Sequence, residues 1–566
     1  MMDFQKLVDI YEELEQVSSG NKMREILADF FKTVPKEDIA IVAYLTLGKF
    51  TSDYENAVLG FAESSILKAI SSAAGVSSSK VRESNQKTGD AGLTAEIFLK
   101  HKPQTLIPVG KLTIHELFEN LKKLAEMSGT GSQDLKSNMI VRMYQKVSAK
   151  GAKYLTRILL GTLRMGVGDM TVLDALSIAY TGEKKNKELL ENAYNICPDV
   201  GVMAETIAKK GLKGLEKIDV HVGRPIKMML AQRIASLDEL NKKMPGKVSV
   251  EGKYDGERVQ AHKTKEGKIQ LFSRRLDNTT NQFPDLVKYL DKINAKEFII
   301  EGEILAIDEN GKPRPFQTLM QRRRKNDVEA YIKKVPIQIK IFDLLYVDGK
   351  TIFNKPFEER RKIINKIVPK GKHIMPAEEI LTDNVEEIND FFQKMLDDGY
   401  EGIMIKSLQG EYQAGTRGWN WIKWKKEYVK EMSDTFDLVV VGAYHGRGKR
   451  SGVYGALLCA IYNPENDSFE TLCKLGTGLT DEVLDELPEK LKQYQSDKKP
   501  ARVNCKKEMI PDVWFKPGVV VDVLAAELTV SPFHTAGVAL RFPRFLRFRD
   551  DKKAEQATTL KEVSEI

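Results

Sequence analysis

The sequence predicts a multidomain chain in three parts: an all-α region, an α+β region and a small β-barrel. Three observations carry that expectation. Apolar residues recur at helical spacing from the start to about Leu215. From Ile218 to Lys426 strand-like alternation takes over, with helical stretches between. Beyond Phe436, short alternating runs are separated by loops rich in glycine, lysine and arginine. At 566 residues the chain is too long for one core, and the expected boundaries are 1–217, 218–426 and 427–566.

In the first part Phe4, Leu7, Val8, Ile10, Tyr11 and Leu14 mark one amphipathic face. Similar periods return through Met23–Phe31, Ile39–Leu47, Ser65–Ala74 and Leu173–Tyr180. The segment Tyr154–Gly168 stands apart. Its Arg157 and Arg164, with Gly161, Gly166 and Gly168, suit close approach to phosphates, and equally suit a helix with a glycine cap.

The second part turns on Val248-Ser-Val-Glu-Gly-Lys-Tyr-Asp-Gly-Glu-Arg-Val-Gln260. Alternation places Glu251 and Lys253 on one face of a strand. Asp255-Gly256 then predicts a tight hairpin, with Lys253 facing Arg258 across the ladder. Two cations crowded together favour loss of the lysine's proton, the state a nucleophilic amine requires. Phe298–Asp308 alternates so that Glu301 and Glu303 share a face that needs a cation or hydroxyls. In Val335–Asp348, Ile337, Ile339 and Ile341 share one face, while Phe342 falls on the polar face as a platform for a flat base. Glu401 and Lys406 bound a further strand, and alternation puts them on opposite faces. Trp421, Lys423 and Lys425 align on one face, with Arg417 just before them, as a phosphate clamp or a solvated sheet edge.

The third part offers strands at Phe436–Tyr444, Tyr454–Tyr462, Phe469–Leu475 and Val519–Glu527, which suit a barrel of oligonucleotide-binding type. The loop from His445 to Gly452 would give it a cationic rim carrying Arg447 and Lys449. Near the end, Arg541, Arg544, Arg547 and Arg549 interleave with phenylalanines, a pattern for nucleic acid or polyphosphate.

Composition narrows the class. Charged residues reach 30%, and 88 Lys and Arg against 80 Asp and Glu leave a net +8. Cys197, Cys459, Cys473 and Cys505 are too scattered for a Cys-x-x-Cys metal site or a disulfide scaffold. The start lacks an apolar signal core, so a soluble intracellular protein is expected. There is no P-loop and no kinase-type glycine loop. A lysine nucleophile, paired carboxylates, an aromatic platform and several cations together suit phosphoryl transfer through a covalent lysine adduct.

At this point the chain resembles the ATP-dependent DNA ligases of the replicative archaeal and eukaryotic type, over almost its whole length. Glu251-Gly-Lys-Tyr-Asp-Gly-Glu-Arg258 is similar to the family's motif I, Ser273-Arg274 to the phosphate-contacting motif and Glu301-Gly-Glu303 to motif III. Phe342–Gly349 resembles motif IIIa, Glu401–Lys406 motif IV, Trp421–Lys425 motif V and Arg544–Lys552 motif VI. Glu301 stands where many relatives carry aspartate.

The resemblance implies that Lys253 takes AMP from ATP, Glu251 reads the adenine amine and Phe342 stacks on the base. Glu303 and Arg258 would hold the ribose. Arg274, Arg417, Lys423 and Lys425 would grip phosphates. Glu401, with Glu303, would bind the divalent metal, Mg²⁺ or alternatively Mn²⁺. Arg157, Arg164, Arg447, Lys449, Arg544 and Arg547 would meet DNA. The implied partner is nicked double-stranded DNA, met by a monomer in the cytoplasm, at the nucleoid, in replication, repair and recombination. A sliding clamp would dock at Gln104-Thr-Leu-Ile107, which lacks the usual aromatic pair. Two other classes share parts of this inventory. An RNA ligase or capping guanylyltransferase has the Lys-x-Asp-Gly core, but Glu251 would repel guanine's carbonyl. A catalytically silent nucleic-acid-binding scaffold would have no need of Lys253, Glu303, Glu401, Lys423 and Lys425 together.

Overall fold

The computed structural model describes residues 2–17, 19–101, 110–129, 131–183, 186–234, 237–323, 328–425, 435–446, 453–525, 527–541 and 543–565. The chain divides into two compact units, Met1–Trp424 and Lys425–Ile566.

The first unit opens with helices, from Phe4–Glu15 to Val200–Leu215. Phe4, Leu7, Val8, Tyr11 and Leu14 bury the predicted stripe of the first helix, while Ile10 packs at its margin. Side-chain caps fix several starts: Asp3 accepts from the Gln5 amide, Ser148 from Gly151 and Asp199 from Val202. Helix Ala91–Phe98 packs tightly on helix Ala149–Leu159, and a Cβ at Gly92 would lie 2.8 Å from the Lys153 carbonyl oxygen.

The rest of this unit is built on two sheets. The first has the order β1 (Leu230–Arg233), β11 (Arg417–Lys425), β10 (Gly402–Ser407), β2 (Val248–Lys253), β9 (Glu379–Thr382). The second runs β4 (Ile269–Ser273), β3 (Glu257–Lys263), β5 (Phe298–Ala306), β6 (Ile337–Val347), β7 (Lys350–Thr351), with β8 (Ile374–Pro376) also on β6. Ile337, Ile339 and Ile341 form the predicted apolar face of β6. They share a core with Val259, Ile300 and Ile364 of the covering helix Phe357–Ile367. Burying each such side chain contributes about 1.5–3 kcal/mol.

The expected hairpin at Asp255-Gly256 does not form. β2 pairs with β10 and β9, whereas β3 pairs with β4 and β5, so the chain crosses between sheets at this turn. Packing decides against the tight turn. Gly256 lies so close to β5 that a Cβ there would sit 2.2 Å from the Ile304 carbonyl oxygen. Lys253 instead lies opposite Gly402 in the β2–β10 ladder, and its carbonyl accepts from the Glu401 amide at 3.0 Å.

The helical and two-sheet regions touch through Asn56. Its side-chain amide donates to the Asn278 carbonyl at 2.7 Å and accepts from the Asn278 amide at 3.1 Å.

The second unit is an eight-stranded sheet with the path β15 (Gln495–Ser496), β17 (Val513–Phe515), β12 (Thr435–His445), β13 (Tyr454–Asn463), β14 (Ser468–Leu475), β16 (Val503–Asn504). β18 (Val520–Leu524) joins β12 to β21 (Arg544–Phe548). A separate ladder joins β19 (Glu527–Val530) and β20 (Val538–Arg541). β12 is buried on both faces, Leu438 and Val440 in one cluster and Val439 and Val441 in another. That explains its nearly unbroken apolar run. Among the described residues, no helix is long and apolar enough to cross a membrane.

Candidate active site

Lys253 ends β2, partly exposed, with its Nζ 2.5 Å from Glu401 Oε2. Glu401 precedes β10, and Gly402 takes φ +147° between them. That backbone conformation, open to glycine, resets the alternation, so Glu401 and Lys406 both face this site. Simple alternation had separated them.

Glu303 lies opposite Arg258 in the β3–β5 ladder. Burial pushes its carboxyl up to about 7. Lys253 and Arg258 oppose that shift, and the Glu401 and Asp255 carboxylates reinforce it. Arg258 is held from two sides, donating to Glu301 Oε2 at 2.7 Å and to the Met229 carbonyl at 2.7 Å. Its guanidinium lies 5.4 Å from the Phe342 ring centroid and 5.2 Å from that of Trp421. Glu301 is fully buried and spends its other oxygen on Gln260 and the Tyr412 hydroxyl, each at 3.0 Å. The predicted need of Glu301 for a cation and hydroxyls is met inside the fold.

Glu251, at 1% exposure, receives Arg361 Nη1 on Oε1 at 2.8 Å and Lys406 Nζ on Oε2 at 2.6 Å. Lys406 also donates to the Phe342 carbonyl at 2.8 Å, ringed by Phe342, Phe357 and Trp421. Phe342 is half-buried on β6 and meets Trp421 edge-on.

The structure therefore gathers Lys253, Glu401, Glu303, Arg258, Phe342 and Glu251. Lys423 and Lys425 are half-buried on β11 beyond Trp421. Arg274 and Arg417 are exposed, in the turn after β4 and at the head of β11. Arg544 is exposed at the start of β21, and Arg547, on the same strand, has its Nε 3.1 Å from Asp522. Arg164 is exposed with φ +58°, donating to the Gly89 carbonyl. Arg447 and Lys449 lie outside the described residues, as does Gln104–Ile107.

Arg157 is corrected from the phosphate-binding expectation. It is 4% exposed and turned inward, with Nη2 2.7 Å from Asp90 and 3.1 Å from Glu15. An ordinary helix pattern concealed that inward pairing.

Sequence reasoning missed Arg361 and Tyr412. For Arg361 a signal existed: Phe357, Arg360, Arg361 and Ile364 share the apolar stripe of their helix, so both arginines had to be buried. Tyr412 sits in a connection between strands, where periodicity says nothing.

A divalent cation fits this donor set. Two carboxylates, Glu303 and Glu401, converge with Lys253, and the Glu401 charge makes ionising Glu303 costlier. Among the described residues no cluster of three or more His, Cys, Asp or Glu ligands occurs. Two carboxylates with the remaining sites left to phosphate and water is the pattern of a hard ion such as Mg²⁺.

Comparison with known proteins points one way. The family described as ATP dependent DNA ligase domain matches residues 228–425. DNA ligase N terminus matches 3–177, and ATP dependent DNA ligase C terminal region matches 450–552. "DNA ligase 2" of Thermofilum pendens is 44% identical over 586 residues, covering 100% of this chain and 97% of its own. "DNA ligase" of Saccharolobus solfataricus is 43% identical over 587 residues, with 100% and 97% covered. The solved structure Pmar-Lig_PreS3 shares the fold at TM-score 0.55 and 18% identity, covering 96% of this chain and 99% of its own.

Proposed function

This chain belongs to the ATP-dependent DNA ligases, and from that premise we propose that it seals nicks in duplex DNA through an AMP adduct on Lys253. The observation that carries the reading is Lys253 Nζ held 2.5 Å from Glu401 beside Glu303 and Arg258.

In the first step the neutral Lys253 amine attacks the α-phosphorus of ATP. An N–P bond forms, the P–O bond to pyrophosphate breaks, and Glu401 stands ready for the ammonium proton. Glu251 accepts from the adenine amine, Phe342 stacks on the base, and Glu303 with Arg258 orients the ribose. Arg274, Arg417, Lys423 and Lys425 hold phosphate oxygens in the electropositive surroundings phosphoryl transfer needs. A divalent cation, Mg²⁺ or Mn²⁺, held by Glu303 and Glu401 would neutralise charge on the reacting phosphates. Next, an oxygen of the nick's 5′-phosphate attacks the adduct phosphorus and the N–P bond breaks. Finally the 3′-hydroxyl attacks the 5′-phosphorus, AMP leaves and the strand closes.

The domain limits that go with this reading are 1–217 for DNA binding, 218–426 for adenylylation and 427–566 as an OB-fold. In it Arg164, Arg447, Lys449, Arg544 and Arg547 contact the duplex, and the protein works as a monomer in the cytoplasm. Gln104–Ile107 is its sliding-clamp contact. Intact mass and peptide mapping after ATP and Mg²⁺ test the core of it. One AMP on Lys253 is expected; an AMP elsewhere, or none, ends the proposal.

A further inference from the structure

We infer that Arg361 is a positioning residue for purine selection, fixing the Glu251 carboxylate in the orientation that accepts from a 6-amino group. The inference rests on the role proposed above for Glu251. Three observations support it.

First, each Glu251 oxygen has its own cation, Arg361 Nη1 at 2.8 Å and Lys406 Nζ at 2.6 Å, so the carboxylate cannot rotate without breaking one. Second, Arg361 is itself immobilised. Its Nε lies 2.9 Å from Glu379 Oε2, and its Nη2 donates to the Ala377 carbonyl. Glu379 in turn accepts from the Ser249 hydroxyl at 2.7 Å, which ties the bridge back to β2. Third, the same helix braces the base platform. Arg360 donates to Asp343 from Nε at 2.8 Å and from Nη2 at 3.2 Å, beside Phe342. Adjacent helical residues point about 100° apart, so the pair reaches β2 and β6 from one turn. Lys406 joins the two halves by donating to both Glu251 and the Phe342 carbonyl.

The chemistry follows from what an ionised carboxylate can do. It accepts only, so it pairs with the amino group of adenine and opposes the 6-oxo group of hypoxanthine. Burial favours the protonated acid at Glu251, while Lys406 and Arg361 oppose it. Without Arg361 only Lys406 holds the carboxyl, on Oε2, so Oε1 loses its fixed partner and can take a proton, and an acid can donate to a 6-oxo purine. Arg361 lies outside every motif that touches phosphate. Its loss should therefore change which nucleotide is used more than how fast the bond forms.

The test uses the full chain and compares nucleotidyl transfer to the enzyme from ATP and from ITP, which differ at the 6-position. E251Q should collapse the ATP preference. R361A should lower it by at least about tenfold, chiefly through KM for ATP, and R361K by less. In the R361A/E251Q double variant the ratio should match that of E251Q alone, because Arg361 acts through that carboxylate. If R361A slows both nucleotides equally, or keeps its full effect beside E251Q, Arg361 is only structural and the inference is overturned. If E251Q leaves the ratio untouched, the reading of Glu251 itself is wrong and this inference goes with it. Should R361A not fold, R361K decides: an unchanged ATP/ITP ratio would sink the idea.

Discussion

Arg157, buried among the helices, and Arg258, half-buried between the sheets, are both gripped by a glutamate, yet their surroundings differ. Around Arg157 every charge is answered: Asp90 and Glu15 take the guanidinium, Lys153 takes Glu15 and Glu12, and the Tyr154 hydroxyl donates to Glu15. Burial alone would raise Glu15, but Lys153, Tyr154 and Arg157 outweigh it and hold the carboxyl at about 2. Around Arg258 the account stays open. Glu303 is pushed up to about 7, first by burial and then by the Glu401 and Asp255 charges, a shift that Lys253 and Arg258 do not cancel. A saturated cluster stabilises a fold, whereas a cluster with charge left over is poised for a ligand.

The largest test of this contrast is Lys253→Ala. It should reduce adenylylation from ATP to nothing detectable while leaving sealing of a pre-adenylylated nick, since the last step does not use the amine. A mutant that still charges itself with AMP would place the chemistry elsewhere. Next in size is Arg157→Ala, which strands Asp90 and Glu15. Denaturant unfolding should show a loss of about 3–5 kcal/mol, with the rate of AMP transfer unchanged where the protein remains folded. If instead stability holds and DNA affinity falls, the two clusters are not different in kind.

The smallest effect is a pH dependence. Glu15 has a depressed carboxyl, so its contribution is complete above the ordinary carboxylate value of 4.5 and is lost as pH falls through about 2. The stability gap between wild type and Glu15→Gln should therefore narrow across that window, by up to about 1 kcal/mol given partial exposure. A gap that widened on acidification would contradict the assignment.

Much of the site was legible in the chain because strand periodicity is local. Glu251 and Lys253 share a face, Phe342 departs from the apolar face of its strand, and Lys423 and Lys425 follow Trp421 in register. The helical region was legible for the same reason, from the stripe beginning at Phe4. What failed were statements about partners. Asp255-Gly256 looks like a hairpin turn until β5 crowds Gly256 and sends the two flanking strands into different sheets. Arg157 looks like a phosphate ligand until Asp90, 67 residues earlier, closes on it.

The sequence by itself determined which residues share a face within most elements, among them Glu251 with Lys253 on β2 and Phe342 off the apolar face of β6. Only the tertiary structure decided which faces meet: Arg361 on Glu251 across 110 residues, and Glu401 on Lys253 across two strands. Alternation and helical repeat are set by backbone geometry within a few residues. The pairing of buried charges is set by packing between segments far apart in the chain, and local pattern carries no trace of it.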